Sequence, residues 1–210
     1  MLFRSLDFVG ICDHNSAENV RAAKKAGEAE RVSVIGGMEV TSSEEVHILA
    51  LFDEDRQLRS LQEIIYKNLY GTNDKRLYGD QLVVNEKDEV IRYSRKLLIG
   101  ATTIPVHQVV ELIHKHNGLA IASHIDREGF SIIGQLGFIP EDLPLDAVEI
   151  TGSSHVATAC LAEDFPTVVS SDAHFIEDVG KRRTCFLMED ITVKELRRSF
   201  RREAGRRVIL

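Results

Sequence analysis

Histidines and carboxylates recur in this chain at the ends of apolar runs. His14 follows Phe8-Val9-Gly10-Ile11-Cys12, Glu39 lies in the last part of a run that begins at Val32, His124 follows Leu119-Ala120-Ile121-Ala122-Ser123, and Asp172 and His174 follow Thr167-Val168-Val169-Ser170-Ser171. In an α/β barrel such run ends converge on one face, where separate segments can build a single site. Imidazoles and carboxylates without a thiol suit Zn, Mn or Fe. The donors are too numerous for one tetrahedral ion, so more than one ion is expected. Clustered divalent ions activate water and neutralise charge on a phosphoryl group. His47 opens its run (46–52) instead of closing it. If the polar stretch 41–45 reverses the chain about Ser43, then Glu39 and His47 face each other across the reversal. In Asp172-Ala173-His174 the i, i+2 spacing sets both side chains on one side of an extended segment.

Other residues take lesser parts. Arg127, three residues beyond His124, is placed to meet a phosphate oxygen, and Lys181, with Arg182 and Arg183 after Gly180, is a second candidate. His107, His114 and His116 read as surface residues, the last two near the end of a helix. His155 reads as a loop histidine, with a substrate-facing position as the alternative.

Strand-like runs alternate with helical periodicity. Helices are expected after Asn15-Ser16, through Leu58, Leu61, Ile65 and Leu69, through Val106, Val109, Val110 and Ile113, and after a Thr192-x-x-Glu195 capping box. Residues 81–84 and 89–93 flank a polar turn and read as a β-hairpin insertion. Strand-then-helix alternation implies a largely parallel sheet with helices outside, closed as a barrel would be. The fold class is therefore α/β, in one domain spanning 1–210.

Length and composition narrow the function. The chain has 210 residues, 43% hydrophobic and 28% charged, with a formal charge of −7. That excludes disorder and fibrous repeats, and the acidic balance argues against wholesale binding of a nucleic-acid backbone. No apolar stretch approaches a membrane span. The three cysteines, Cys12, Cys160 and Cys185, read as reduced thiols of a cytoplasmic protein. The basic residues Lys194, Arg197, Arg198, Arg201 and Arg202 read as a solvated face of the last helix.

The motifs Cys12-Asp13-His14-Asn15, Gly37-Met38-Glu39-Val40-Thr41 through His47, Ala122-Ser123-His124-Ile125-Asp126-Arg127, and Ser171-Asp172-Ala173-His174 resemble, in order, those of the polymerase and histidinol phosphatase (PHP) superfamily. The resemblance implies a distorted (β/α)7 barrel with two or three divalent metal ions at the strand ends. It implies that Glu39 bridges two ions, that His47 and His124 join it on one and Asp172 on the other, and that His14 and His174 hold a third. Asp13 is implied to support His14 from behind. Catalytic duties thus fall on Asp13, His14 and His174, and proton transfer is the alternative duty of the two histidines. The family's first motif, a His-x-His roughly one βα unit of ~30 residues earlier, is not in the sequence, so the barrel is expected to lack its first strand–helix unit. An open edge invites a homo-oligomer. The implied activity is hydrolysis of a phosphate ester, on a phosphorylated small molecule, a nucleotide or an oligonucleotide end. A non-catalytic metal-binding module and a metal-dependent C–N hydrolase are the alternatives.

Overall fold

The computed structural model describes residues 6–151 and 164–209. The first half runs β1 (Phe8–Ile11), α1 (Val20–Glu30), β2 (Ser33–Thr41), β3 (His47–Phe52), α2 (Asp55–Asn68), the one-turn α3 (Lys75–Tyr78), β4 (Leu82–Val84) and β5 (Val90–Tyr93). The second runs α4 (Val106–Lys115), β6 (Leu119–Ala122), α5 (Ile132–Leu136), β7 (Ala147–Ile150), β8 (Thr167–Val169), β9 (Cys185–Leu187), α6 (Val193–Phe200) and β10 (Arg207–Ile209). His155 and Cys160 lie outside the described residues.

Among the described residues the main sheet is six-stranded, in the order β1-β2-β3-β6-β7-β8, and curls into a half-barrel. It is mixed rather than largely parallel. β1–β2, β6–β7 and β7–β8 are parallel pairs, whereas β3 runs against both β2 and β6. The short connection between β2 and β3 permits only a hairpin, because a parallel return needs a long crossover. The hairpin register pairs Thr41 with His47 and Glu39 with Leu49. The reversal therefore centres on Glu44, not on Ser43. The slip moves His47 by two residues relative to Glu39, and an even slip leaves both side chains on one face of the sheet.

Both faces of the sheet are covered, so its strands bury side chains of both parities. Met38, Val40, Ile48, Ala50, Phe52, Ala120, Ala122 and Val148 point outward, against Val20 of α1, Leu58, Leu61 and Ile65 of α2, and Val106, Val109, Val110 and Ile113 of α4. The alternate residues Ile35, Leu51, Leu119, Ile121, Ala147 and Val168 point inward, where Val193, Leu196 and Phe200 of α6 meet them. Each such fully buried aliphatic side chain contributes about 1.5–3 kcal/mol. The same parity carries upward: in β1 through Cys12 to His14, in β2 from Ile35 to Glu39, in β3 from Leu51 back to His47, and in β7 from Ala147 to Glu149. An apolar storey thus lies beneath a polar one on the inner face.

The edge at β8 is sealed by two hydroxyls. Thr184 Oγ donates to the Val169 carbonyl (2.8 Å) and accepts from its N–H (2.7 Å). Ser171 Oγ likewise donates to the Arg182 carbonyl (2.9 Å) and accepts from the Arg182 N–H (3.1 Å). These contacts stand in for ladder bonds and run the chain on into β9, which pairs with β10.

β4 and β5 form a separate antiparallel pair. The Asn19 amide holds it by accepting from Val84 N–H (3.0 Å) and donating to the Leu82 carbonyl (3.1 Å). Asn15 does not cap α1, which begins at Val20. It is fully buried with φ 48°, a left-handed conformation that asparagine tolerates. Its amide donates to the carbonyls of Leu98 and Gly100 (2.9 Å each) and accepts from Thr41 N–H (3.1 Å). The returning end of the 70–104 segment is thereby fastened to the end of β2.

At the opposite end of the sheet Asp146 gathers three elements. It accepts from Ala120 N–H (2.9 Å) and Arg197 Nε (3.2 Å) and lies 2.9 Å from His114 Nε2, while Arg197 Nη2 donates to the Gly118 carbonyl (2.5 Å). His114 and Arg197 are thus half-buried clamps rather than freely solvated groups. Thr192 caps α6 as the capping box predicts, accepting from Glu195 N–H (3.1 Å). The Glu195 carboxylate does not reach back; it accepts from Glu189 N–H and Arg206 Nε, which hold it down to about 2. Burial pushes the Asp146 carboxyl up, but His114, the Ala120 N–H and Arg197 outweigh it and leave it below its ordinary 3.8. The stabilisation is therefore complete above pH 3.8 and disappears as the pH falls through the depressed folded value. Asp146→Asn is expected to cost about 1.5–3 kcal/mol at pH 7. In urea titrations its deficit should shrink on acidification below pH 4, as the wild type loses the same charge.

Candidate metal centre

Four chain segments meet at the upper end of the inner face. Glu39, from β2, is 5% exposed. Its Oε2 lies 3.1 Å from His14 Nδ1, and its Oε1 lies 3.1 Å from His47 Nδ1 and 3.5 Å from His124 Nε2. The main chain fixes this meeting. Asn15 N–H donates to the Glu39 carbonyl (2.8 Å), and Glu39 N–H donates to the Asp13 carbonyl (3.0 Å), so β1 and β2 remain paired past their formal ends. His47 N–H donates to the Phe130 carbonyl (2.9 Å), and the Phe130 ring stacks on the His47 ring at 4.8 Å.

The donor set of His14, Glu39 and His47 converges, with one ligand atom of each lying within 4.8 Å of the others. The Nδ1 atoms of His14, His47 and His124 are buried and make no well-aligned hydrogen bond. Glu39 oxygens lie 3.1 Å from two of them, those of His14 and His47. Buried nitrogens of this kind usually have a partner, and a divalent cation between them and the carboxylate satisfies both. The residues present therefore fit a metal.

Electrostatics favours the same forms. Burial pushes the Glu39 carboxyl up, but the imidazoles of His124, His47 and His14 outweigh it and keep it well below its ordinary range. Burial is also the largest influence on His14 and lowers it, aided by His47 and His174 and opposed by Glu39 and Asp172. An ionised carboxylate and a neutral imidazole are the forms a metal ligates.

Asp172 and His174 stand at the rim. The His174 ring centroid is 5.9 Å from that of His14, and its Nδ1 lies 3.0 Å from the Asp172 carbonyl oxygen and 3.7 Å from Oδ1. Arg127 Nη1 lies 2.6 Å from Asp172 Oδ2. Asp13, whose carboxyl burial raises, accepts from Asn19 Nδ2 (2.9 Å), and the neighbouring His14 partly offsets the rise. Lys181 pairs with Asp178 at 2.5 Å. His124 and Asp172 both have positive φ (29° and 42°), and such backbone conformations tend to cluster at working sites.

Sequence reasoning missed Glu149, Ser170 and Phe130. Glu149 is 2% exposed, accepts from Ser170 Oγ at 2.6 Å and is pushed up by burial, with Asp172 and Glu39 adding to the rise. A lone carboxylate in the apolar run 147–150 was the available signal. Cys12 lies below, its thiol raised well above its ordinary value by burial and by Glu39, Glu149 and Asp13. Phe130 had no signal in its local pattern.

The PHP-associated family model matches residues 158–204 of the sequence. No curated protein matches it at the sequence level. Among solved structures, the fold is similar to the lesion-specific endonuclease Q of Pyrococcus furiosus, with a TM-score of 0.65 and 19% identity, covering 98% of this chain and 50% of that one. Endonuclease Q in complex with a 27-mer duplex bearing an abasic lesion gives a TM-score of 0.64 and 18% identity, covering 97% and 50%. A Bifidobacterium adolescentis protein, assigned by inference as a metal-dependent phosphoesterase, gives 0.56 and 17%, covering 85% and 82%. The chain spans half the length of the endonuclease Q chains. The ordered motifs thus gather on one face of a half-barrel whose C-terminal part matches the PHP-associated family model and whose fold is similar to that of endonuclease Q.

Proposed function

We propose that the chain is a metal-dependent phosphoesterase that hydrolyses a phosphate ester by water attack. The observation that carries this reading is the buried Glu39 carboxylate with His14, His47 and His124 around it, at the C-terminal ends of the parallel strands. In this reading Glu39, His47 and His124 would hold one divalent ion, Glu39 and Asp172 a second, and His14 and His174 a third. When bound, such ions lower the pKa of a water and withdraw charge from a phosphoryl oxygen.

The chain's own residues orient and select. The Phe130 ring stacked on His47 fixes the plane of that imidazole and shields it from solvent. The link from Asn15 to Thr41 holds the end of β2 so that Glu39 keeps its place. Arg127 supplies a fork-shaped donor pair for the substrate's phosphoryl oxygens, and Lys181 a second positive charge at the rim. Asp13 supports His14 in this reading, and proton transfer is the alternative duty of His14 and His174. The substrate class is a nucleotide, an oligonucleotide end or a small phosphomonoester. The structural likeness to an enzyme solved on a lesion-bearing duplex supports the nucleic-acid members of that set.

Elemental analysis of the purified chain should find two or more equivalents of Zn, Mn or Fe. Glu39→Ala should lose most of that metal and lower phosphate release from p-nitrophenyl phosphate and from 5′-phosphorylated oligonucleotides by at least about 100-fold. Metal below one equivalent and unchanged by the substitution would sink the reading. Chelation should also lower the melting temperature, and stoichiometric Mn or Zn should restore it, since a ligand bound only by the folded state stabilises that state. In Glu39→Ala the melting temperature should not respond to chelator.

A further inference from the structure

We propose that Arg127 and a divalent cation are alternative partners of Asp172, and that cation binding hands the Arg127 guanidinium over to the substrate's phosphoryl oxygens. The inference rests on the phosphoesterase reading and extends it to the coupling between metal and substrate.

The base of Arg127 is fixed by hydrogen bonds, while its head is part exposed and reaches across to Asp172. Arg127 N–H donates to the His124 carbonyl (2.9 Å), closing a tight turn, and the Arg127 carbonyl accepts from Ser131 Oγ (2.5 Å). The preceding Asp126 accepts from both the N–H and the hydroxyl of Thr151 (2.8 and 2.9 Å), which anchors the turn to the end of β7. The Arg127 side chain is 42% exposed, whereas the Asp172 side chain it reaches is 17% exposed. The guanidinium therefore spans from a fixed turn on one wall of the site to a carboxylate on the other, with part of its surface facing solvent. The contact uses Asp172 Oδ2, while Oδ1 faces His174 at 3.7 Å. A divalent cation ligated by Asp172 and the guanidinium would place two cationic groups on one carboxylate, which weakens each attachment. A phosphoryl group offers the displaced guanidinium the bidentate acceptor it fits best. Metal and substrate then favour each other's binding through Arg127 in addition to any direct contact, and the coupling is reciprocal.

The test is Mn2+ titration of the full chain, followed by the electron paramagnetic resonance of free Mn2+, in wild type, Arg127→Met, Arg127→Lys and Arg182→Met. Arg182→Met removes an exposed rim cation whose backbone is tied to Ser171, next to Asp172, and so controls for general charge. Without phosphate, Arg127→Met should bind Mn2+ about fivefold more tightly than wild type, Arg127→Lys should fall between, and Arg182→Met should change affinity by less than about twofold. With a phosphomonoester analogue present, Arg127→Met should lose part of the wild-type metal–analogue coupling. Equal or weaker Mn2+ binding in Arg127→Met, or the same tightening in Arg182→Met, overturns the inference while leaving the phosphoesterase reading intact. Absence of Mn2+ binding in the wild type overturns both.

Discussion

A carboxylate in a nearly water-free position dominates this molecule. Removing an ionised group from water costs several kcal/mol even after relaxation, and the cost must be met locally or the group gives up its charge. Glu39 keeps its charge because three imidazoles, delivered by three different segments, surround it. The demand reaches far into the fold. β3 must run antiparallel so that its first residue, not its last, arrives beside Glu39. The chain after β6 must turn sharply at His124, with its φ of 29°, and β1 must stay paired with β2 up to His14.

The strand periodicity provides the rest of the support. Because alternate residues face the same way, the side chains that build the apolar floor also determine which residues rise above it as the polar storey. Ile35 and Glu39 share a face of β2, and Leu51 and His47 share a face of β3. The floor and the site are one pattern read at two heights. The α6 residues Val193, Leu196 and Phe200 close that pattern from below, on the concave side of the sheet, where a helix outside a barrel would not sit.

What was legible in the sequence follows the same logic. Apolar runs mark strands, and the direction of travel along a parallel strand marks its working end, so His14, Glu39, His124 and Asp172 could be gathered without coordinates. His47 was legible only through the turn, and its register came out two residues from the one observed, since the polar residues 41–45 fix the reversal no more closely. The site survived the slip because its parity is even. Long-range polar contacts were not legible. Nothing near His114 announces Asp146, and nothing in the amphipathic pattern of α6 tells whether it covers the inside or the outside of a sheet. Arg197 looks like any solvated arginine until Asp146 and Gly118 are seen beside it. Glu149 was visible as an isolated charge in a strand, but its meaning depends on Ser170, twenty-one residues later.

The inner-face position of α6, together with the hydroxyl seams at Thr184 and Ser171, bears on how the protein matures in a cell. Histidines from the first 124 residues emerge from the ribosome long before the residues that form their underside. Until residues 182–208 have cleared the exit tunnel, the concave side of the sheet lacks both its floor and the seal along β8. The concave side is therefore completed only after the C-terminal segment has been made, and the sheet folds first as an open, one-sided layer.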